Sequence, residues 1–141
     1  MTSFSFRDPV VNIYARDVER LARFYEETFG FRESFRTPKT GAPVHIELRL
    51  HGFTLGVASI EAAKSMHGLP LDPGLPRSEI ALWTDDTDEV VEALRAQGVQ
   101  LVSEPHTFIE TVRAAWLLDP EGNHVQIVCR VKTQAAPPSE A

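Results

Sequence analysis

The sequence predicts an α+β fold: two βαβββ modules forming a cupped eight-stranded mixed sheet with the helices outside. Three observations predict it. A strand-to-helix pattern recurs 69 positions along the chain, the hydrophobic period changes to two after each helix, and 141 residues provide two small halves rather than several domains. Halves of roughly 55 to 60 residues bury little surface alone, so each must pair its sheet with the other or with a partner's, which leaves a concave cup.

The first repeat begins with VVNIYARD (residues 10–17), a strand running into a helix cap at Asp17. Behind that cap Val18, Leu21, Ala22, Tyr25 and Phe29 recur at helical spacing, and Gly30 supplies a left-handed stop. Alternation then marks three strands, FRESFRTP (31–38), PVHIELRL (43–50) and GFTLGVAS (52–59). Residues 60–78 carry Pro and Gly and read as a linker with a short helix over 61–67. The second repeat begins with EIALWTDD (79–86), and Asp86 with Glu89 has capping-box spacing ahead of Val90, Val91, Leu94 and Gly98. VQLVSEP (99–105), ETVRAAWLL (110–118) and NHVQIVCR (123–130) complete it. The predicted divisions are thus 1–59, linker 60–78, 79–131, and a disordered tail over 132–141.

Composition excludes several function classes. Lys and Arg total 14 against 20 Asp and Glu, a net charge of -6, which offers no footprint for a phosphate backbone, so no nucleic-acid partner is expected. No apolar run approaches the ~18 residues of a membrane span, and the first ten residues lack a basic region followed by an apolar stretch. The lone Cys129 can form no intrachain disulfide, and by phase it faces the helix as a buried thiol. A cytoplasmic location fits best. There is no nucleophile elbow, phosphate loop, dinucleotide fingerprint or HExxH.

Three segments, ARDVERLARFYEETFGF (15–31), TDDTDEVVEALRAQGV (84–99) and LLDPEGNHVQIV (117–128), carry a resemblance that spans roughly residues 10–131. The chain resembles the vicinal oxygen chelate superfamily of glyoxalase I, extradiol dioxygenases, fosfomycin-resistance enzymes and bleomycin-resistance proteins. DPEGN, the most specific piece, reads physically as a tight turn, with Asp119 bonding its own backbone and Gly122 supplying positive φ. The resemblance implies a metal ligand, usually His or Glu, on the first and last strand of each module. Seven residues before each capping Asp stand Val10 and Glu79, and three residues after the turn stands Gln126. The fourth position falls near Leu55 or, on another strand count, on Glu47, with Leu55 favoured. Valine cannot bind a metal and an amide binds one poorly, so the metal site of the family is expected to be lost, with no cofactor in its place.

The pleat then names what lines the cup. Val11, Ile13 and Ala15 face the helix, which turns Asn12 and Tyr14 inward, and the same argument turns Glu79 and Trp83 inward. His45, Glu47 and Arg49 alternate with an apolar set, Gln126 follows from the last strand, and Arg113 is placed in the cup from its neighbour. Trp83 is alternatively core, His45, Glu47 and Arg49 a solvated face, and Arg113 a partner of Glu104 or Glu110; Trp116 is read as packed under the helix, and His51, His67 and His106 as solvent-facing. Aromatic faces among a few polar groups suit a small organic ligand. The expected function is metal-free sequestration of an aromatic compound, with a divalent-metal lyase, isomerase or dioxygenase as the alternative. A metal-free enzyme using Glu47 or Glu79 as base is a third reading. A homodimer is expected, because members of the superfamily often build each cup from two chains.

Overall fold

Asp17 and Asp86, 69 positions apart, each cap a helix by the same bond: Asp17 Oδ1 accepts from the Arg20 N–H at 3.0 Å, and Asp86 Oδ1 from the Glu89 N–H at 3.2 Å. The computed structural model describes residue 5 and residues 7–72, 74–76 and 78–131; the predicted tail over 132–141 lies outside them. The chain divides into two units, residues 1–74 and 75–141.

In the first unit β1 (Val11–Ala15) leads into α1 (Val18–Phe29), then β2 (Arg32–Thr37), β3 (His45–Leu50), β4 (Phe53–Ser59) and α2 (Ile60–His67). The sheet order is β1-β4-β3-β2, with β1 parallel to β4 and the other pairs antiparallel. Helix α1 ends at Gly30, whose φ of 80° closes the last turn. Its apolar stripe of Val18, Leu21, Ala22 and Tyr25 is buried, as are Ile13, Ala15, Ile46, Leu48, Leu55 and Val57 on the sheet face toward it. Each of the larger side chains contributes about 1.5–3 kcal/mol by leaving water, and Leu21→Ala would cost about 2–5 kcal/mol.

The second unit repeats the plan: β5 (Glu79–Trp83), α3 (Thr87–Ala96), β6 (Leu101–Phe108), β7 (Val112–Leu118) and β8 (His124–Arg130), in the order β5-β8-β7-β6. The predicted α+β architecture of two βαβββ modules therefore stands, its eight strands falling into two four-stranded mixed sheets. Fully buried Thr87, at the start of α3, donates its hydroxyl to the Arg113 carbonyl at 3.0 Å and so ties helix to sheet. Strand β6 continues past Pro105, where the sequence predicts its end. It is an edge strand, so a missing N–H is tolerated there, and its pairing with β7 is irregular between Ser103 and His106.

The DPEGN turn joins β7 to β8. Asp119 Oδ1 accepts from the N–H groups of Glu121 and Asn123, both at 2.9 Å, while Oδ2 accepts from the Asn123 side chain at 2.9 Å. Gly122 has φ 85°, the conformation that a β-carbon would disfavour.

Candidate ligand-binding site

Each sheet has one face against its helix and one face free of it, and the strand registers show what the helix-free faces carry. In the first unit one cross-strand row reads Asn12, Gly56, Glu47, Phe35 and the next reads Tyr14, Ala58, His45, Thr37. Strand β4 thus lays a floor of small residues, Gly56 and Ala58, between Asn12 and Tyr14 on one side and Glu47 and His45 on the other. A β-carbon on Gly56 would lie 1.8 Å from Asn12 Oδ1 and 3.0 Å from His45 Cε1, so the absence of a side chain is what lets the two reach over the floor. His45 Nε2 sits 3.1 Å from Glu47 Oε2, and the Phe35 ring lies 6.2 Å from the imidazole. Arg49 is on the same face, one row further along β3.

In the second unit the rows are Ala81, Gln126, Trp116, Ser103 and Trp83, Val128, Ala114, His106. Glu79 reaches over two strands from the edge. Its Oε1 accepts from the Gln126 amide at 2.9 Å and its Oε2 from the Trp116 indole N–H at 2.7 Å. Trp116 stacks on His106 with centroids 5.7 Å apart, and Phe108 adjoins both rings. Trp83 is 60% exposed, with the Arg130 guanidinium 5.0 Å from its ring centroid.

Three sequence expectations need correction. Arg113 does not share a face with Gln126. It stands opposite Cys129 on the helix side, and its guanidinium forks onto Asp88 of α3, with one arm at 2.8 Å, and reaches Thr107 at 3.2 Å. That pairing holds the Asp88 carboxyl below its ordinary range and raises the guanidinium. Trp116, read as packed under the helix, lies on the face away from it. The neighbouring Ala114 and Ala115 are both buried, so apolarity gave no phase to this strand. Leu55 is wholly buried toward α1; the residue matching Gln126 by register is Gly56, one position on. The sequence alone assigns Phe35, Gly56, Trp116 and His106 to no site; the β2–β3 and β3–β4 pairings place the first two on these faces and the β7–β8 and β6–β7 pairings the others.

The positions that would bind a metal in this fold are therefore Val10, Gly56, Glu79 and Gln126. Their chemistry does not suit one: Val10 and Gly56 of the first unit offer no side-chain donor atom, and in the second unit the carboxylate of Glu79 already accepts from the N–H groups of Trp116 and Gln126. Among the described residues no three His, Cys, Asp or Glu side chains gather at one point. Elsewhere on the first unit a concavity of about 720 Å³ lies beside Asp17, Glu19, Arg36, Pro43, Ser59 and Met66. It contains none of the predicted site residues, and its Arg36 is held by Glu19 at 2.9 Å and Glu33 at 2.8 Å. No helix of the described residues is long and apolar enough to cross a membrane.

Comparison with known proteins agrees with this architecture. No curated protein sequence matches the chain. A glyoxalase/bleomycin resistance protein/dioxygenase family enzyme from Burkholderia phytofirmans PsJN superposes with a TM-score of 0.73 at 26% identity, over 86% of this chain and 97% of that one. TioX from Micromonospora sp. ML1 superposes at 0.70 with 22% identity, over 86% and 97%. TnmS3, an antibiotic binding protein from Streptomyces sp. CB03234, superposes at 0.68 with 23% identity, over 93% and 100%. Residues 8–127 match the model of the Glyoxalase/Bleomycin resistance protein/Dioxygenase superfamily, and the chain belongs to that superfamily.

Proposed function

We propose that the protein is a metal-free binder that sequesters a small, partly aromatic organic molecule; the likeness to TnmS3, an antibiotic binding protein, supports the binding part of this reading. The observation that carries this reading is Glu79 held by Trp116 and Gln126, because it turns the family's metal position into a hydrogen-bonded anchor on the face that carries the exposed indole of Trp83. Trp83 supplies a flat face and Arg130 a cation over it; Glu79 can orient a donor on the ligand. On this reading Asn12, Tyr14, His45, Glu47 and Arg49 are the ligand-facing groups of the first unit. The protein works as a cytoplasmic homodimer.

The test is a screen of aromatic antibiotics and metabolites by tryptophan fluorescence and thermal shift, with every hit repeated on Trp83→Ala. A micromolar hit weakened by roughly tenfold or more supports the reading, since loss of one stacked ring is worth about 1–1.5 kcal/mol. A hit indifferent to the substitution refutes this account of the site. Elemental analysis finding one zinc, iron, nickel or manganese per chain, lost in Glu79→Ala, would establish the metal enzyme instead. Sedimentation tests the homodimer, and a lone monomer at micromolar concentration removes it.

A further inference from the structure

We propose that the first unit also carries a metal-independent proton-transfer centre, in which His45 is the base and Glu47 the residue that positions it. This rests on the reading that the helix-free face of that unit receives an organic molecule. His45 Nε2 and Glu47 Oε2 are 3.1 Å apart on one strand face, and their side chains are 22% and 30% exposed, which shields the bond from much of the solvent while leaving the imidazole reachable. An ionised carboxylate can only accept, so Nε2 carries the hydrogen and Nδ1 holds the lone pair. The carboxylate fixes the ring's orientation and stabilises the imidazolium that forms when Nδ1 takes a proton.

The surroundings are those a flat carbon acid requires. Gly56 and Ala58 stand next to the pair on β4 and leave it uncrowded by larger side chains, Phe35 offers an apolar ring 6.2 Å from the imidazole, and the Asn12 amide lies over Gly56 beside it. The charged and titratable groups facing the pair are Tyr14 from β1, Arg32 from β2 and Arg49 from β3, while β4 contributes none. Both arginines favour an anion, so the site suits an aromatic molecule whose C–H acidity leaves negative charge on an oxygen or nitrogen.

A probe of that class is 5-nitrobenzisoxazole. Its ring C–H bond breaks as an N–H bond forms at His45 Nδ1, the electron pair completes a nitrile, the N–O bond opens to a coloured phenolate, and the imidazolium returns its proton to water. The full-length protein should accelerate this opening on the order of 100-fold over buffer, with His45→Gln returning it to background. Glu47→Gln should keep part of the rate and, in nitrogen NMR, loosen the preference of His45 for the Nε2-protonated tautomer; a purely structural role would lower the rate and leave the tautomer unchanged. Nitrogen NMR of the unsubstituted protein should show His45 protonated at Nε2. A rate at the buffer level, a rate that survives His45→Gln, or a neutral His45 protonated at Nδ1 would each overturn the proposal. Titration with 5-nitrobenzotriazole, which lacks the acidic C–H, separates the two readings: shifts at Asn12 and Gly56 without catalysis sink the base alone, and no shifts sink the ligand face as well.

Discussion

Trp116 donates its indole N–H to Glu79 across a strand that separates them: β5 and β7 do not pair, and β8 lies between. The bond ties the edge of the sheet to its interior and sets the plane of an indole. Trp116→Phe keeps the ring against His106 and removes the donor. It should lower stability by about 1 kcal/mol, read by urea unfolding, and weaken ligand binding less than Trp83→Ala does. Unchanged unfolding would mean that the bond is not formed in solution.

Gly56→Ala should displace the Asn12 amide, because the new methyl would sit 1.8 Å from Asn12 Oδ1. Asn12 is exposed and free at its far end, so the fold should lose less than about 1 kcal/mol while affinity at that face changes. With Asn12→Ala already present, Gly56→Ala should have a smaller further effect on affinity, the remainder coming from the 3.0 Å approach of the new methyl to His45 Cε1. A double-mutant cycle by calorimetry measures the coupling.

Arg113→Gln should leave ligand affinity untouched, since that side chain serves α3. Its partner Asp88 titrates below the ordinary carboxylate range because Arg113 bonds the charged form. The stability this contributes is present above the unfolded value of 3.8 and is lost as pH falls through the lower folded value. The pair is exposed, so Asp88→Asn should cost at most about 1 kcal/mol at pH 7, with the deficit shrinking as the medium becomes more acidic than pH ~4.

Glu26 has the opposite sign. Burial first, then the charges of Glu33 and Glu19, raise its carboxyl above the ordinary value of 4.5. Its ionisation therefore destabilises the fold at neutral pH, and the cost vanishes as pH falls below 4.5. Glu26→Gln should raise the melting temperature at pH 7 and lose that advantage in acid.

Asp119→Ala removes the acceptor for three N–H groups in a turn where the residue is 4% exposed. A loss of about 2–4 kcal/mol is expected by denaturant unfolding.

Much of this fold is written in short-range chemistry. The capping aspartates, the glycine stop after α1 and the alternation of HIELRL depend on residues close in sequence, so the repeat can be read without a structure. Asn12, Glu47 and Glu79 could be assigned a face for the same reason. Trp116 and Arg113 could not. Two adjacent alanines erase the phase of β7, and its face becomes known only from its pairing with β8. Gly56 was invisible for another reason: its role is to be empty, and what fills that space belongs to Asn12, from a strand 44 positions earlier in the chain.

The Asp119 turn has a further consequence, for how such a sheet changes over time. By fixing the β7–β8 register it decides that Trp116, and not Ala115, stands opposite Gln126. The information that aligns the helix-free face is therefore stored in a loop outside the rows that form it. Residues along those rows can be exchanged one at a time, aromatic for polar or charged for amide, while the alignment that gives them meaning is kept elsewhere. Selection can then rewrite what the face presents without first having to rebuild the sheet.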